Sequence, residues 1–169
     1  MRKHIAYPFL YDDLKDLKCD FEILTDEVSS MIGLLRGFVK DEALRDELEK
    51  VCEIVYHLNP TLRTFLSLNE EDLNWINERY MFYKNEYKDL VKKFVIPQGG
   101  VCACYAHVIR SKCKAVVRMI YRHKENGHEV QNLLFNFFNL LSGYFFSLAI
   151  KFNHDEGICE KEFISKNYS

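Results

Sequence analysis

Proline and glycine are scarce: the chain holds three of the first and seven of the second. No stretch alternates apolar and polar residues over the length of a strand. Sheets need that alternation and the turns that punctuate it, so the shortage excludes a sheet-based fold and leaves an all-α protein. Charge of one sign is equally thin. Lys and Arg number 23 against 25 Asp and Glu, a net of −2 with no basic block, which leaves no electrostatic footprint for nucleic acid. No signal-peptide core follows the basic start Met1-Arg2-Lys3-His4, because Asp12 and Asp13 interrupt it, and the expectation is a cytoplasmic protein. Without a secretion signal, Cys19, Cys52, Cys102, Cys104, Cys113 and Cys159 are expected as reduced thiols. Cys102, Cys104, His107 and Cys113 close no metal cage, since Cys104 and His107 fall about 60° apart on a helix while the other two face the far side.

What is present is a helical core. Hydrophobic residues make up 48% of the chain and aromatics 14%, which excludes disorder. At 169 residues the chain forms one domain, expected over 1–157, with a tail over 158–169 that lacks periodicity and is extended or mobile. The periodicity predicts a five-helix antiparallel bundle. Helix one spans 9–39 with the seam Leu10, Leu14, Leu17, Phe21, Leu24, Val28, Met31, Leu35 and Phe38. Asp26, Ser29, Gly33 and Gly37 line its opposite face; interior glycines are costly in a helix, so this small-residue stripe predicts a close neighbour, in this chain or in another subunit. Helix two covers 41–58, capped by Asp41, with the seam Leu44, Leu48, Val51, Val55 and Leu58. Ser67-Leu68-Asn69-Glu70 reads as a capping box opening a third helix, whose seam is Leu73, Ile76, Tyr80, Tyr83, Tyr87 and Leu90. Helix four runs from Val101 to Lys124. Helix five, over 129–153, contains an uncharged run from Leu133 to Ile150 that has the length of a membrane span. Asn132, Asn136, Asn139, Gly143 and Ser147 form a polar stripe through it, so a central bundle helix is expected rather than a span.

One stretch carries most of the chemistry. Phe94-Val95-Ile96-Pro97-Gln98-Gly99-Gly100 is the strongest backbone break in the chain. The following helix sets His107, Arg110, Lys114 and Arg118 along one edge, with Ala103, Ala106, Cys113 and Val117 on a neighbouring apolar stripe. A greasy loop feeding a helix with a basic edge suits an anion or cofactor site; it equally suits a tight turn and a solvated face.

Phe94-Val95-Ile96-Pro97-x-Gly99-Gly100, followed by Ala106-His107, Arg110 and Cys113-Lys114, resembles the propanediol-utilisation type of ATP:cob(I)alamin adenosyltransferase. That family carries a Phe-x-Leu-Pro-x-Gly-Gly loop and an Ala-Leu-His-x-x-Arg helix. Thr25-Asp26-Glu27-Val28-Ser29-Ser30-Met31-Ile32-Gly33 and Asn139-Leu140-Leu141-Ser142-Gly143-Tyr144-Phe145-Phe146 are similar to two further family motifs, in the right order. The resemblance implies a bundle that trimerises with its site between subunits, a corrinoid (cobalamin) and Mg–ATP as ligands, and transfer of adenosyl from ATP to cob(I)alamin. It implies that Phe94 presses on the lower corrin face and displaces the axial base. It further implies that Asp26 pairs with Arg110 across the interface, and that Asn139 touches nucleotide beside His107, Lys114 and Arg118.

The ATP side departs from the family pattern. The family's opening Gly- and Thr-rich phosphate segment has no counterpart ahead of Gly33, the first glycine here. The arginine-rich run after Cys113 becomes Lys114-Ala115-Val116-Val117-Arg118, and the Arg and Asp of the last motif become Leu140 and Gly143. Three readings therefore stand: a divergent adenosyltransferase with weakened ATP binding, a non-catalytic corrinoid-binding relative, and an interaction protein on the same scaffold.

Overall fold

The computed structural model of the chain describes residues 8–167; the basic start Met1-Arg2-Lys3-His4 and the last two residues lie outside them. Five helices carry the fold: α1 (Lys18–Phe38), α2 (Glu42–Leu58), α3 (Glu70–Glu86), α4 (Val101–Glu125) and α5 (Asn132–Asp155). Single 3-10 turns lie at Pro8–Tyr11 and Lys88–Leu90. α1 pairs with α2 and α4, and α5 packs between α3 and α4. The bundle is all-α and antiparallel, as the periodicity predicts.

The first helix starts later than expected. Leu10 and Leu14 belong to no seam and are exposed, Leu14 to 91%. The cause is local: the Asp13 carboxylate accepts from Lys15 N at 2.9 Å and the Asp16 carboxylate from Lys18 N at 3.1 Å. Short polar side chains that bond nearby amides compete with the helix, so α1 begins only at Lys18, and Leu17, Phe21, Val28 and Leu35 form its buried seam. Phe38, at the other end, is half exposed and stacks on Tyr105 of α4.

α2 follows its prediction, with Asp41 accepting from Leu44 N at 2.9 Å and Leu44, Leu48, Val51, Val55 and Leu58 all buried. The capping box of α3 is shifted by two residues. The Ser67 hydroxyl donates to the His57 carbonyl at the end of α2, so Asn69 caps instead, accepting from Asp72 N while the Asp72 carboxylate accepts from Asn69 N. Leu90, expected on the α3 seam, lies beyond the helix and is exposed.

α5 has the length and apolar character of a membrane span, yet most of it is buried inside the bundle. Phe137, Phe138, Leu141, Tyr144, Phe145, Leu148 and Ala149 are wholly buried. Each large side chain so buried is worth about 1.5–3 kcal/mol, which makes α5 the axis of the core. A polar network crosses that core. Glu47 of α2 accepts from Arg79 of α3 at 2.7 Å and from the Tyr144 hydroxyl of α5 at 2.7 Å, with the Tyr83 hydroxyl at 3.3 Å. Burial, followed by the Glu47 charge, pushes the Tyr83 phenol up to about 12. Glu47→Leu should therefore cost about 3 kcal/mol, the lower end for breaking a buried pair, because Arg79 keeps part of its side chain in water while Tyr144 loses its acceptor outright. A urea midpoint unchanged from wild type would show that the network contributes nothing.

Candidate functional site

The Phe94 loop runs from the 3-10 turn to α4 and is held from two sides. Against it lies the chain's C-terminal segment, 158–164: Ile96 N donates to Lys161 O at 2.9 Å, Phe163 N donates to Phe94 O at 2.7 Å, and Val95 bridges Glu162 in antiparallel sense. This tail is thus extended and paired. Behind the loop stands Asn153 of α5, wholly buried, whose Oδ1 accepts from Gly100 N at 3.1 Å and whose Nδ2 donates to Gln98 O at 2.9 Å. Gly99 has φ +137, and a Cβ there would fall 1.8 Å from the Asn153 carboxamide. Left-handed backbone and missing room together require glycine. On this fixed frame Phe94 stands 84% exposed.

Four turns of α4 carry the other residues. His107 is buried, with both ring nitrogens lacking a hydrogen-bond partner among the described residues, and its ring lies against Phe146 of α5. Arg110 is half-buried over the same ring, 5.6 Å from its centroid, with its Nε also lacking a partner. Burial lowers the Arg110 guanidinium pKa. The Ser142 hydroxyl donates to Arg110 O at 3.3 Å and ties α5 to α4 at this level. Lys114 and Arg118 continue the edge and are exposed, as is Asn139 on α5. His107, Arg110, Lys114 and Arg118 therefore share an edge but not an environment: the first is inside and the last two are in water.

Asp26 lies on another face. It lines a cleft of ≈ 580 Å³ between α1 and α2, with Ser29, Gly33, Arg36, Glu49, Glu53 and Tyr56. Its neighbour Glu27 reaches across to Lys112 of α4 at 2.6 Å. Successive helical residues diverge by about 100°, so Asp26 faces away from its own α4 and forms no ion pair among the described residues.

Two positions that depart from the resembled motifs have packing consequences. A Cβ on Gly143 would lie 2.9 Å from the Tyr80 ring, so α3 closes on α5 where an acidic side chain would otherwise project. Ala115, beside Lys114, is exposed and offers no donor. Asn153 and Phe146 escape sequence reasoning. Phe146 looks like any core aromatic of α5, and the one signal for Asn153 is indirect, since the paired glycines announce a close approach without saying by what.

His107 offers a test. Burial, followed by the Arg110 charge, holds its imidazole at about 4, below the ordinary 6.5. A depressed value means that the unfolded chain takes up the proton first, so this contribution to stability is complete above about pH 6.5 and is lost as pH falls toward 4. His107→Gln should flatten the fall of Tm over that window relative to wild type; parallel curves would place the imidazole in contact with solvent.

Comparison with known proteins follows the same lines. A family model described as Cobalamin adenosyltransferase matches residues 22–152, well over half of the chain. A corrinoid adenosyltransferase of Bacillus subtilis (strain 168) is 29% identical over 147 residues, covering 82% of this chain and 75% of that protein. Among solved structures, a phenylalanine-to-histidine variant of the PduO-type ATP:corrinoid adenosyltransferase from Lactobacillus reuteri, complexed with cobalamin and ATP, superposes with a TM-score of 0.75 at 22% identity, covering 88% of this chain and 84% of that one. An arginine-to-lysine variant from the same organism, complexed with ATP, gives 0.76 at 23% identity with 88% of each chain covered. At these identities the structural likeness speaks for the fold, and the family match speaks for descent: the chain belongs to the cobalamin adenosyltransferase family.

Proposed function

We propose that this chain binds a corrinoid against Phe94 and transfers adenosyl to it from Mg–ATP, working as a cytoplasmic homotrimer. The observation that carries the reading is a phenyl ring 84% exposed on a loop whose backbone is fixed on both flanks. A mobile loop would fold such a ring away; here the ring stays in water, placed to meet a flat apolar ligand. Pressed on the lower corrin face, Phe94 displaces the axial base and makes the cobalt reducible to cob(I)alamin by a one-electron donor from outside the chain. In the transfer, cob(I)alamin forms the Co–C bond to the ribose 5′-carbon as the C–O bond to triphosphate breaks and its electron pair leaves with the phosphate. Arg110, Lys114 and Arg118, with Asn139, supply the cations and the amide toward that leaving group.

The trimer rests on Asp26, Arg110 and the glycines. Among the described residues Asp26 is turned from its own α4, Arg110 Nε has no partner, and added Cβ atoms at Gly33 and Gly37 would meet nothing within 4 Å. A head-to-tail contact, the α1–α2 cleft of one copy against the α4 edge of the next, closes into a ring. Gly33→Leu is harmless to a lone protomer and should break the trimer in sedimentation; a wild type that sediments as monomer removes this part of the reading.

A second reading, corrinoid carriage without transfer, is favoured by one feature: Tyr80 seals Gly143 while Lys114 and Ala115 replace forked donors. An anaerobic cob(II)alamin titration, with and without Mg–ATP and reductant, separates the two. Wild type should drive cob(II)alamin to its base-off, four-coordinate form, with Phe94→Ala losing that conversion more than it loses binding, and adenosylcobalamin should then form. Conversion without product leaves carriage, and no conversion overturns both, leaving a helical interaction protein.

A further inference from the structure

We propose that Asn153 is the positioning residue of the Phe94 face, its carboxamide locking the 97–100 turn and the 158–164 segment into one unit that holds Phe94 out. This deepens the corrinoid reading above and rests on it for the ligand. Both Nδ2 hydrogens are used, one on Gln98 O at 2.9 Å and one on Glu160 Oε1 at 2.8 Å, while Oδ1 takes Gly100 N at 3.1 Å. The same residue's backbone carbonyl accepts from Ile158 N at 2.8 Å, so the C-terminal segment also leaves α5 through Asn153. One buried side chain thus touches the turn before α4, the first residue of that turn's exit and the returning segment.

The rest of the loop's support is too slight to fix it alone. The pairing of Phe94 and Ile96 with Lys161 and Phe163 consists of two backbone bonds around a single bridge, supplemented by an exposed Lys93–Glu162 ion pair at 2.7 Å and a long, exposed bond from Gln98 Nε2 to Cys159 O at 3.5 Å. An isolated two-stranded pairing of this size is marginal in water, and an exposed ion pair adds little. What sets its register is the anchored ends, and both ends lead to Asn153. The chemistry is specific to an amide. An aspartate would accept from Gly100 N but turn an oxygen toward Gln98 O and the Glu160 carboxylate. A leucine of similar size would leave all three groups without a partner. Burial raises the Glu160 carboxyl pKa, and the Asn153 bond partly offsets that rise.

The test is amide hydrogen exchange on the full chain, paired with the cob(II)alamin spectrum. Gly100 N is bonded to Asn153 itself, whereas Ile96 N is bonded to Lys161 O. In Asn153→Leu both amides should exchange roughly tenfold faster or more, the equivalent of at least one lost hydrogen bond, while amides in the middle of α5 keep their wild-type rates. Glu160→Gln, whose amide oxygen still accepts, should exchange as wild type does. At saturating corrinoid, Asn153→Leu should bind within a few fold of wild type and lose most of its base-off fraction. Acceleration at Gly100 alone would make Asn153 a local cap and overturn the proposal, as would an undiminished base-off fraction in a variant whose two amides exchange fast. If wild type itself fails to convert cob(II)alamin, the corrinoid reading fails, and the two amides still decide whether Asn153 sets the loop. Should the leucine variant not fold, Asn153→Ala carries the same comparison.

Discussion

The burial of α5 is the constraint on which the structure depends. Its aromatic and aliphatic side chains cannot be left in water, and α3 and α4 close over them from either side. Several features around the candidate site then follow from where α5 lies. Phe146 seats His107 and Arg110, Gly143 admits the Tyr80 ring, Tyr144 satisfies Glu47, and Asn153 catches the loop that leads into α4. A helix chosen for its apolar girth thus also serves as the reference surface for polar contacts spaced along it.

This explains which parts of the molecule could be read from sequence. The seams of α2 and α4, the turn at Pro97–Gly100 and the interior placement of α5 depend on periodicity and on backbone chemistry, both of which are local. The beginning of α1 lies later than its spacing predicts because Leu10 and Leu14 continue the seam in sequence, whereas Asp13 and Asp16 divert the backbone before a helix can form. The cap of α3 was misplaced because Ser67 has a competing acceptor, the His57 carbonyl, that only the folded α2–α3 connection brings near. Asn153 belongs to a harder class. Its partners are Gln98, Gly100 and Glu160, and nothing in the residues around 153 announces two of them from fifty positions away.

The candidate site divides along the same line. The placement of Phe94 on a loop and of Arg110, Lys114 and Arg118 along one edge of α4 is legible because backbone chemistry and helical phase decide it. That His107 lies inside while Lys114 lies outside was not legible, because phase assigns an edge and not a depth. Asp26 is the instructive case. Its stripe of small residues announces a neighbour, and α2 meets part of it: the Ser29 hydroxyl donates to Cys52 O at 3.3 Å, while added Cβ atoms at Gly33 and Gly37 would meet nothing within 4 Å. The glycine half of that pattern has no packing among the described residues, and the proposed contact with a second copy rests on that half.

The unsatisfied groups point the same way. Buried polar atoms ordinarily find a partner, and each one left without costs about 1–3 kcal/mol. Among the described residues, both nitrogens of His107 and the Nε of Arg110 are without one, on a single helical turn of α4. Core packing does not ask for them there, since Phe146 and the buried alanines of α4 would close against an apolar residue more cheaply. The depressed imidazole pKa removes charge from His107 but leaves its hydrogen-bonding groups unmet, and Arg110 keeps its charge. The groups that would relieve this turn are an acceptor for the guanidinium and a partner for the ring. A carboxylate or a phosphate oxygen has the right chemistry for the guanidinium, which is what the proposed trimer and nucleotide would bring, and the exposed Lys114 and Arg118 further along the edge add two more cations.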